Sequence, residues 1–396
     1  MNPSLAPRAD SDPLGSETVL GLLCDLVRIP SINPALGGDD ATGEGDIAAF
    51  AARWLTERGV PARLEEAAPG RPNAVGEVGA GEGAGEAEGA TLILCAHLDT
   101  VGVAGMSIPP YEPSVKDGRV YGRGAYDMKS GVAAVMCAAA ALAREKLQGR
   151  VLVALVADEE YASIGAEHFV GSYRADGCIL TEGSEGRLVL AHKGFVWVDV
   201  VTKGRAAHGS RWDLGKSAIG PMGRIVAALE TFDSDVLRRR SHALVGPASM
   251  HCALIEGGVG ISTYAAKCRL QVERRTIPGE TPEQVIEEIR SIAHGIDKES
   301  QVTLRFSRAP LITDRNAAVA RCVREAASAV VGTPPKETGV GYWMDAAVFA
   351  GAGIPSVDYG PAGAGAHEAV EWVDLESVVT CARVLRESAR RFLAQR

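Results

Sequence analysis

The sequence has no excess of positive charge and no long apolar run. Its 41 lysine and arginine residues are outnumbered by 50 aspartate and glutamate residues, which gives a formal net charge of -9. This charge argues against nucleic acid or an anionic membrane as the main partner. The longest apolar stretch, residues 131–143, is shorter than the about 20 residues that a membrane-spanning helix needs. The N-terminal segment MNPSLAPRADSDPLGSE lacks the apolar core of a secretory signal, so we expect a cytoplasmic protein.

Cysteine pairs at metal-binding spacing are also absent. The cysteines are scattered, none forms a C-x-x-C pair, and most lie inside apolar runs. This distribution predicts buried, reduced thiols of an intracellular protein rather than a disulfide framework or a zinc-thiolate site. The eight are Cys24, Cys95, Cys137, Cys178, Cys252, Cys268, Cys322 and Cys381.

Motifs for phosphate binding and for a nucleophilic serine are incomplete or missing. The segment Gly215-Lys216-Ser217 ends like a P-loop, but Ser210 stands where that motif requires glycine. The segment Gly122-Arg123-Gly124 lacks the third glycine of a dinucleotide-binding fingerprint. No G-x-S-x-G motif is present, which disfavours a serine hydrolase.

The composition and patterning are those of a globular α/β protein. The chain has 396 residues, 46% hydrophobic and 23% charged, and this length allows two or three domains. Thr91–Ala96 and Val151–Ala157 are continuous apolar runs, typical of strands buried on both faces. Helical patterns such as Met128–Arg144 alternate with them, which predicts helices packed on a largely parallel sheet. Residues 1–15 are expected to form a loose arm, and residues 80–90, rich in glycine and glutamate, an exposed loop.

A second pattern occupies the middle of the chain. Lys193–Val201 and Cys268–Glu273 alternate apolar and polar residues, as strands with one exposed face do. Thr281, followed by a proline and then Gln284, predicts the start of a helix. The order β-α-β-β-α-β fits a ferredoxin-like module. We therefore predict a catalytic domain in two parts, 16–190 and 307–396, with an inserted domain at 191–306.

Seven acidic and imidazole side chains follow predicted strands or segments of small residues. In parallel sheets, ligands gather beyond the carboxyl ends of the strands, so most of these side chains are expected at one edge. Taken singly, each has a simpler explanation, such as a surface His-Asp pair, a helix cap or a solvated loop. Together they predict a hydrolytic site with two metal ions. The seven are His97, Asp99, Asp127, Glu159, Glu160, Glu182 and His367.

Residue type indicates part of the chemistry. His97 is a natural metal ligand, and Asp99 can accept its other ring N–H and so fix the tautomer. Asp127 can give one oxygen to each of two cations. Because neighbours on an extended chain point in opposite directions, one of Glu159 and Glu160 can ligate a metal while the other acts as general base. Two histidines, one shared aspartate and two glutamates suit zinc, with cobalt or manganese as substitutes.

Five segments, in this order, resemble the M20 family of metallopeptidases and amidohydrolases. They are LILCAHLDTV, GRVYGRGAYDMKSGVAA, VADEEYASIGAE, ILTEGSEG and GPAGAGAHEAVEWV, and the resemblance runs from about residue 20 to the C-terminus. The family includes acetylornithine deacetylase, succinyl-diaminopimelate desuccinylase, aminoacylase and the glutamate carboxypeptidases. The resemblance implies an α/β zinc-hydrolase catalytic domain, an inserted ferredoxin-like lid and dimerisation domain, and a homodimer.

The resemblance also implies how two zinc ions would be held. His97, Asp127 and Glu182 would bind one zinc, and Asp127, Glu160 and His367 would bind the other. The family further implies a cis peptide bond directly after Asp127.

Four other roles are implied at matching positions. Glu159 would be the general base, and Asp99 would orient His97. In the segment GRAAHGS, His208 would reach the active site of the partner subunit and stabilise the oxyanion. In the segment ERRTIPGET, Arg275 would bind the substrate carboxylate, because its fork donates two parallel hydrogen bonds.

One position departs from the family pattern. Many relatives contact the substrate through an asparagine after a double-glycine turn, whereas here Gly257-Gly258 leads to Ser262. Ser262 is thus the substrate-binding candidate, but its shorter side chain weakens any transfer of substrate identity. We predict hydrolysis of the amide bond of a small N-acyl amino acid, and the segments ADEEYASIGAE and AHKGF favour the acetylornithine-deacetylase-like branch. A carboxypeptidase or dipeptidase, and an inactive binding homologue, are the alternatives.

Overall fold

The computed structural model describes residues 11–79 and 89–395, and these residues form two compact units. Unit 1 contains the described residues up to Leu190, together with Thr313–Thr338 and the chain from Met344 onward. Unit 2 contains Ala191–Ile312 and Gly339–Trp343. Most of the predicted N-terminal arm and of the predicted loop at 80–90 lies outside the described residues.

The helices and strands are numbered in chain order. The helices are α1 (Ser16–Arg28), α2 (Gly45–Thr56), α3 (Lys129–Leu142), α4 (Ile164–Ser172), α5 (Ile219–Asp235), α6 (Pro282–Ile296), α7 (Ala318–Val331), α8 (Ala346–Gly351) and α9 (Leu375–Leu393). The strands are β1 (Ala62–Ala68), β2 (Arg71–Val78), β3 (Thr91–His97), β4 (Ser114–Lys116), β5 (Arg119–Tyr121), β6 (Arg150–Val156), β7 (Gly177–Leu180), β8 (Leu188–His192), β9 (Gly194–Lys203), β10 (Ser241–His242), β11 (Gly246–Pro247), β12 (Ser249–Gly257), β13 (Lys267–Thr276), β14 (Gln301–Arg308), β15 (Leu311–Ile312), β16 (Glu337–Val340), β17 (Ser356–Asp358), β18 (Gly363–Ala364) and β19 (Trp372–Asp374).

Unit 1 is built on one mixed sheet with the strand order β1-β2-β6-β3-β7-β17-β8. The central strands β6, β3, β7 and β17 are parallel to one another, and antiparallel strands flank them on both sides. Every residue of β3 and β7 is buried, as their continuous apolar sequences predict. The predicted α/β fold with a mostly parallel central sheet is therefore confirmed.

Helices cover the sheet where the sequence predicts them. All of α3 is buried, because its alanine-rich sequence lets the helix lie close against its neighbours. The sequence predicts a C-terminal helix at Leu375–Leu393, and α9 has these bounds. At its N-terminus, the Asp374 side chain accepts the backbone N–H of Ser377. No helix among the described residues is both long and apolar enough to cross a membrane. All eight cysteines are unpaired, and each is buried except Cys252, which is half-buried.

A small antiparallel sheet in unit 1, with the order β18-β19-β5-β4, is absent from the sequence-based prediction. Strand β5 precedes Asp127, and His367 lies between β18 and β19. Pairing of β5 with β19 therefore ties the segment before Asp127 to the segment that carries His367.

Unit 2 has a four-stranded antiparallel sheet in the order β12-β13-β9-β14. Strand β9 alternates as predicted, and its inward residues Val196, Val198 and Val200 pack with residues of α5 and α6 in one apolar core. Helix α6 starts at Pro282, where the Thr281 hydroxyl accepts the backbone N–H of Gln284 at 3.3 Å. The order of strands and helices is that of a ferredoxin-like module. That this module acts as a lid or a dimerisation domain stays a prediction.

Candidate metal centre

The predicted ligands from the central strands lie at one edge of the unit 1 sheet. His97 is the last residue of β3, Glu159 and Glu160 follow β6, and Glu182 follows β7. These three strands are parallel neighbours, so their carboxyl ends meet. The sheet thus gathers side chains that are far apart in the sequence.

Close backbone packing positions Asp127 beside this edge. A Cβ atom at Gly131, in the first turn of α3, would lie 2.4 Å from the carbonyl oxygen of Thr181, so only glycine lets the helix start so near the end of β7. Gly124, with a φ of +76°, turns the chain just before Asp127 in a conformation that favours glycine. The Asp127–Met128 peptide bond is cis, as predicted.

The Asp127 carboxylate lies between two imidazoles. Its Oδ1 atom is 3.2 Å from His97 Nε2, and its Oδ2 atom is 3.2 Å from His367 Nε2. Glu160 Oε2 lies 3.1 Å from the same His367 nitrogen. Glu182 Oε1 lies 3.6 Å from His97 Nε2. The five residues predicted as ligands are therefore brought together.

Glu159 belongs to the same cluster. Its Oε2 atom is 3.8 Å from His97 Nε2, about as far as the Glu182 oxygen. Two groups of three residues each have possible ligand atoms within 4.8 Å of one another: His97 with Glu159 and Glu182, and His97 with Asp127 and Glu160. Distance alone therefore does not distinguish the predicted base from the predicted ligands.

The cluster contains more acidic than basic side chains: Asp127, Glu159, Glu160 and Glu182 against the two imidazoles. Burial and the nearby charge of Asp127 raise the pKa of Glu160 to about 7. Burial likewise raises the pKa of Glu182 well above its ordinary value, although His97 acts in the opposite direction. Glu160 Oε1 is buried and has no hydrogen-bond donor among the residues at 11–79 and 89–395. Because buried acids need a positive partner, this donor set of imidazole and carboxylate groups fits divalent cations such as zinc.

Among the described residues, the two imidazoles are the basic groups that form ion pairs with these acids. Burial would lower the pKa of His97, but Glu182, Asp127 and Asp99 raise it well above the ordinary value. Hydrogen bonds to Asp127 and Glu160 raise the pKa of His367 to about 10. Burial opposes ionisation of Asp127, but its hydrogen bonds to both imidazoles hold its pKa below the usual range.

Asp99 contacts both His97 and the glutamate pair. Its main-chain carbonyl oxygen is 2.9 Å from His97 Nδ1, whereas its carboxylate oxygen Oδ1 is 3.5 Å from that nitrogen. The carboxylate accepts the backbone N–H groups of Glu159 at 3.1 Å and Glu160 at 3.2 Å. Asp99 thus fixes the backbone of the glutamate pair, a contact that the H-x-D spacing did not predict.

Glu371 is a functional candidate that sequence reasoning missed. Its Oε1 atom accepts the backbone N–H groups of Tyr126 and Asp127 at 2.9 Å each. Its Oε2 atom accepts the Gly124 N–H at 2.9 Å and Arg123 Nη1 at 2.6 Å. Glu371 therefore holds the backbone that presents Asp127. Its place in the segment GPAGAGAHEAVEWV was the available signal, but a single glutamate there has no distinguishing pattern.

The remaining predicted residues lie in unit 2. His208 is exposed, with Nδ1 2.8 Å from the Ser210 hydroxyl. The residue after His208 donates its backbone N–H to the carbonyl oxygen of Ser262 at 2.7 Å, so these two candidates are neighbours. Arg275 forms an ion pair with Glu273 at 2.9 Å. The roles of His208, Ser262 and Arg275 toward a substrate stay predictions.

Comparisons with known proteins identify the family to which the chain belongs. The profile of peptidase family M20/M25/M40 matches residues 93–391. Acetylornithine deacetylase of Myxococcus xanthus is 31% identical over 343 residues, which cover 84% of this chain and 87% of the relative. N-formyl-4-amino-5-aminomethyl-2-methylpyrimidine deformylase of Bacillus subtilis is 26% identical over 384 residues, which cover 86% of this chain and 87% of the relative. The structure of aminopeptidase PepT from Bacillus cereus gives a TM-score of 0.78 at 20% identity, over 97% of this chain and 100% of that one. The chain therefore belongs to peptidase family M20/M25/M40, a family of hydrolases that act on carbon–nitrogen amide bonds.

Proposed function

We propose that the chain is a two-zinc hydrolase that removes the acyl group from an N-acyl amino acid. The observation that carries the proposal is the Asp127 carboxylate, whose two oxygens each lie 3.2 Å from a different imidazole. With this shared aspartate, His97 and Glu182 form one ligand set, and Glu160 and His367 form the other. Cobalt or manganese could replace zinc in such a set. Relatives named for removing an acetyl or a formyl group support deacylation.

Glu159 is the proposed general base. When bound, the two cations lower the pKa of water and polarise the substrate carbonyl. Glu159 takes the proton of the attacking water and delivers it to the leaving amine nitrogen. Burial raises the pKa of Glu159 well above its ordinary value, with Glu182 and Glu160 adding to the effect and His97 opposing it. A raised pKa suits a group that must accept a proton at neutral pH.

Three residues of unit 2 are assigned to the substrate. His208 would donate a hydrogen bond to the oxyanion that forms during attack. Arg275 would bind the substrate carboxylate through two parallel hydrogen bonds. Ser262, beside His208, would contact the substrate where many relatives use an asparagine.

The proposal includes a homodimer formed through unit 2. Strand β12 is an edge strand of its sheet, and it exposes 60% of Leu254 and 56% of Ile255. Val259 and Ile261, which follow the strand, are 91% and 106% exposed. Long apolar edges promote association with another chain. A second copy of this chain paired along β12 would cover these side chains.

Light scattering tests the dimer. The double variant Leu254→Lys/Ile255→Lys should be monomeric, because charges on an exposed edge oppose strand pairing. The control is Leu304→Lys on β14, the other edge strand, where the side chain is 41% exposed. This control should stay dimeric. A monomeric wild-type chain would contradict the homodimer.

A substrate panel tests the activity. N-acetyl, N-succinyl and N-formyl amino acids and dipeptides are offered to the zinc-loaded enzyme. We expect turnover of an N-acyl amino acid, its loss on chelation and its return with zinc. Turnover of dipeptides alone would make the chain a peptidase, and no turnover of any compound would favour an inactive binding homologue. Full activity after verified metal removal would contradict the metal-dependent mechanism.

A further inference from the structure

A buried hydrogen-bond network contacts the backbone of the Glu159-Glu160 pair. Asn33 Nδ2 donates to Asp99 Oδ2 at 2.7 Å and to Asp158 Oδ1 at 2.9 Å. Arg71 Nη2 donates to the same Asp158 oxygen at 2.9 Å. Arg71 also holds the carboxylate of Glu44 through two hydrogen bonds of 2.5 Å. Apart from Arg71, whose side chain is 15% exposed, every member is buried. The proposed reaction assigns no role to Asn33, Arg71, Asp158 or Glu44.

The network holds the turn that carries the glutamate pair from two sides. Asp158 directly precedes the pair, and its φ of +71° is a left-handed conformation that aspartate tolerates better than most residues. Asp99 accepts the backbone N–H groups of Glu159 and Glu160. Asn33 joins these two carboxylates, because its amide nitrogen donates one hydrogen to each.

The amide group of Asn33 suits this place for a chemical reason. Two buried carboxylates that approach each other repel unless a donor stands between them. The amide nitrogen of Asn33 supplies that donor without adding charge. Its Oδ1 atom accepts the backbone N–H of Ala35 at 2.9 Å, so the orientation of the amide is fixed. Arg71 compensates the charge of Asp158 from the other side.

We infer that Asn33 and Arg71 are positioning residues, which set the turn so that Glu160 faces His367 while Glu159 faces His97. The 3.1 Å contact of Glu160 with His367 and the 3.8 Å approach of Glu159 to His97 are the geometry that they maintain. The inference rests on the proposed function for the identity of Glu159 as base. The placement of the turn itself rests on the hydrogen bonds alone.

Kinetics of matched asparagine variants test the inference. In Asn33→Ala, kcat should fall by about 10–100-fold, as for other residues that orient metal ligands, while KM changes little. The control is Asn73→Ala, since Asn73 is equally buried and makes two side-chain hydrogen bonds, to Gly165 and Ala157, but contacts neither carboxylate. The control should also lose thermal stability, because its two lost hydrogen bonds are buried, and it should keep kcat within about twofold of the wild type.

The conservative variants refine the test. Asn33→Asp should lose at least as much kcat as Asn33→Ala, because it places an acceptor against two carboxylates. Arg71→Lys keeps the positive charge but loses the planar guanidinium group with its paired donors, so it should retain more kcat than Arg71→Met. If Asn33→Ala fails to fold, these Arg71 variants carry the same comparison.

The visible spectrum of the cobalt-loaded protein is a readout that needs no substrate. Asn33→Ala should change this spectrum and weaken the binding of one cobalt ion by about 10–100-fold, whereas Asn73→Ala should leave both as in the wild type. A wild-type spectrum and a wild-type kcat in Asn33→Ala would overturn the inference. If the wild-type chain turns over no substrate but the Asn33→Ala spectrum changes, the proposed function fails and the positioning role stands.

Discussion

Two glutamates of unit 1 with buried side chains, Glu371 and Glu160, have opposite surroundings. Glu371 accepts hydrogen bonds from three backbone N–H groups and from Arg123. Glu160 contacts His367 through one oxygen, and its other oxygen has no donor in the described part of the chain. Described residues thus satisfy both oxygens of Glu371, whereas one oxygen of Glu160 is left for the cation that we propose there. In the proposed site, a missing hydrogen-bond partner rather than burial alone distinguishes Glu160 as a ligand candidate.

The direction of the pKa shift does not separate the two groups. Burial raises the pKa of Glu371 as well as that of Glu160. A raised pKa is therefore shared by a structural acid and a ligand candidate, and the hydrogen-bond partners separate them. This is the comparison that the following predictions test.

The largest expected effect is that of Glu159→Gln, which removes the base and leaves the ligands in place. We expect kcat to fall by about 10²–10⁴-fold, the usual contribution of general acid–base catalysis, with both zinc ions retained. Glu376→Gln is the control, because the Glu376 side chain is 71% exposed and lies outside the cluster. A Glu159→Gln enzyme with nearly wild-type kcat would show that another group accepts the proton.

Glu371→Gln and Glu160→Gln should differ most clearly in stability. Glu371→Gln leaves Arg123 without its buried charged partner, so unfolding in denaturant should become easier by about 3–5 kcal/mol, with or without zinc. Glu160→Gln should change the stability of the metal-free chain by only about 1 kcal/mol, the scale of one hydrogen bond, and should lose affinity for one zinc ion. Equal stability losses in the two variants would remove the distinction.

The smallest effect concerns His367 in the metal-free protein. Its pKa of about 10 lies above the ordinary value of 6.5, so its ion pairs stabilise the fold fully below pH 6.5 and progressively less as the pH rises through 10. The His367 side chain is 52% exposed, and solvent screens the pairs. The Tm of the wild type should exceed that of His367→Ala by about 2 °C at pH 6, and the difference should vanish near pH 10. A difference that grows with pH would contradict the charge assignment.

The proximity of the proposed ligands at strand ends could be predicted because sequence pattern and sheet geometry coincide there. His97 ends one apolar run and Glu182 follows another, and both runs have the length of a buried strand. Parallel pairing then brings the carboxyl ends of such strands together. The bounds of α9 were predictable for a similar reason. Its apolar residues recur at helical spacing, and the capping residue Asp374 stands directly before the first of its helical residues.

The supporting residues could not be predicted because their pattern is not local. Asn33 and Arg71 are polar residues of ordinary type, and their partners lie far along the chain. Glu371 acts by accepting backbone N–H groups, which no side-chain pattern records. The small sheet that ties the His367 segment to β5 has strands of two or three residues, too short to show a period of two.

The central claim is that the strand-end cluster binds two zinc ions. Atomic emission tests it most directly, by measuring the zinc content per chain after dialysis. The account predicts two zinc ions in the wild type and in Glu159→Gln, two in the folded fraction of Glu371→Gln, and fewer than two in Glu160→Gln. A wild-type chain that retains no zinc, cobalt or manganese, or a Glu160→Gln chain that retains two zinc ions with unchanged affinity, would contradict it.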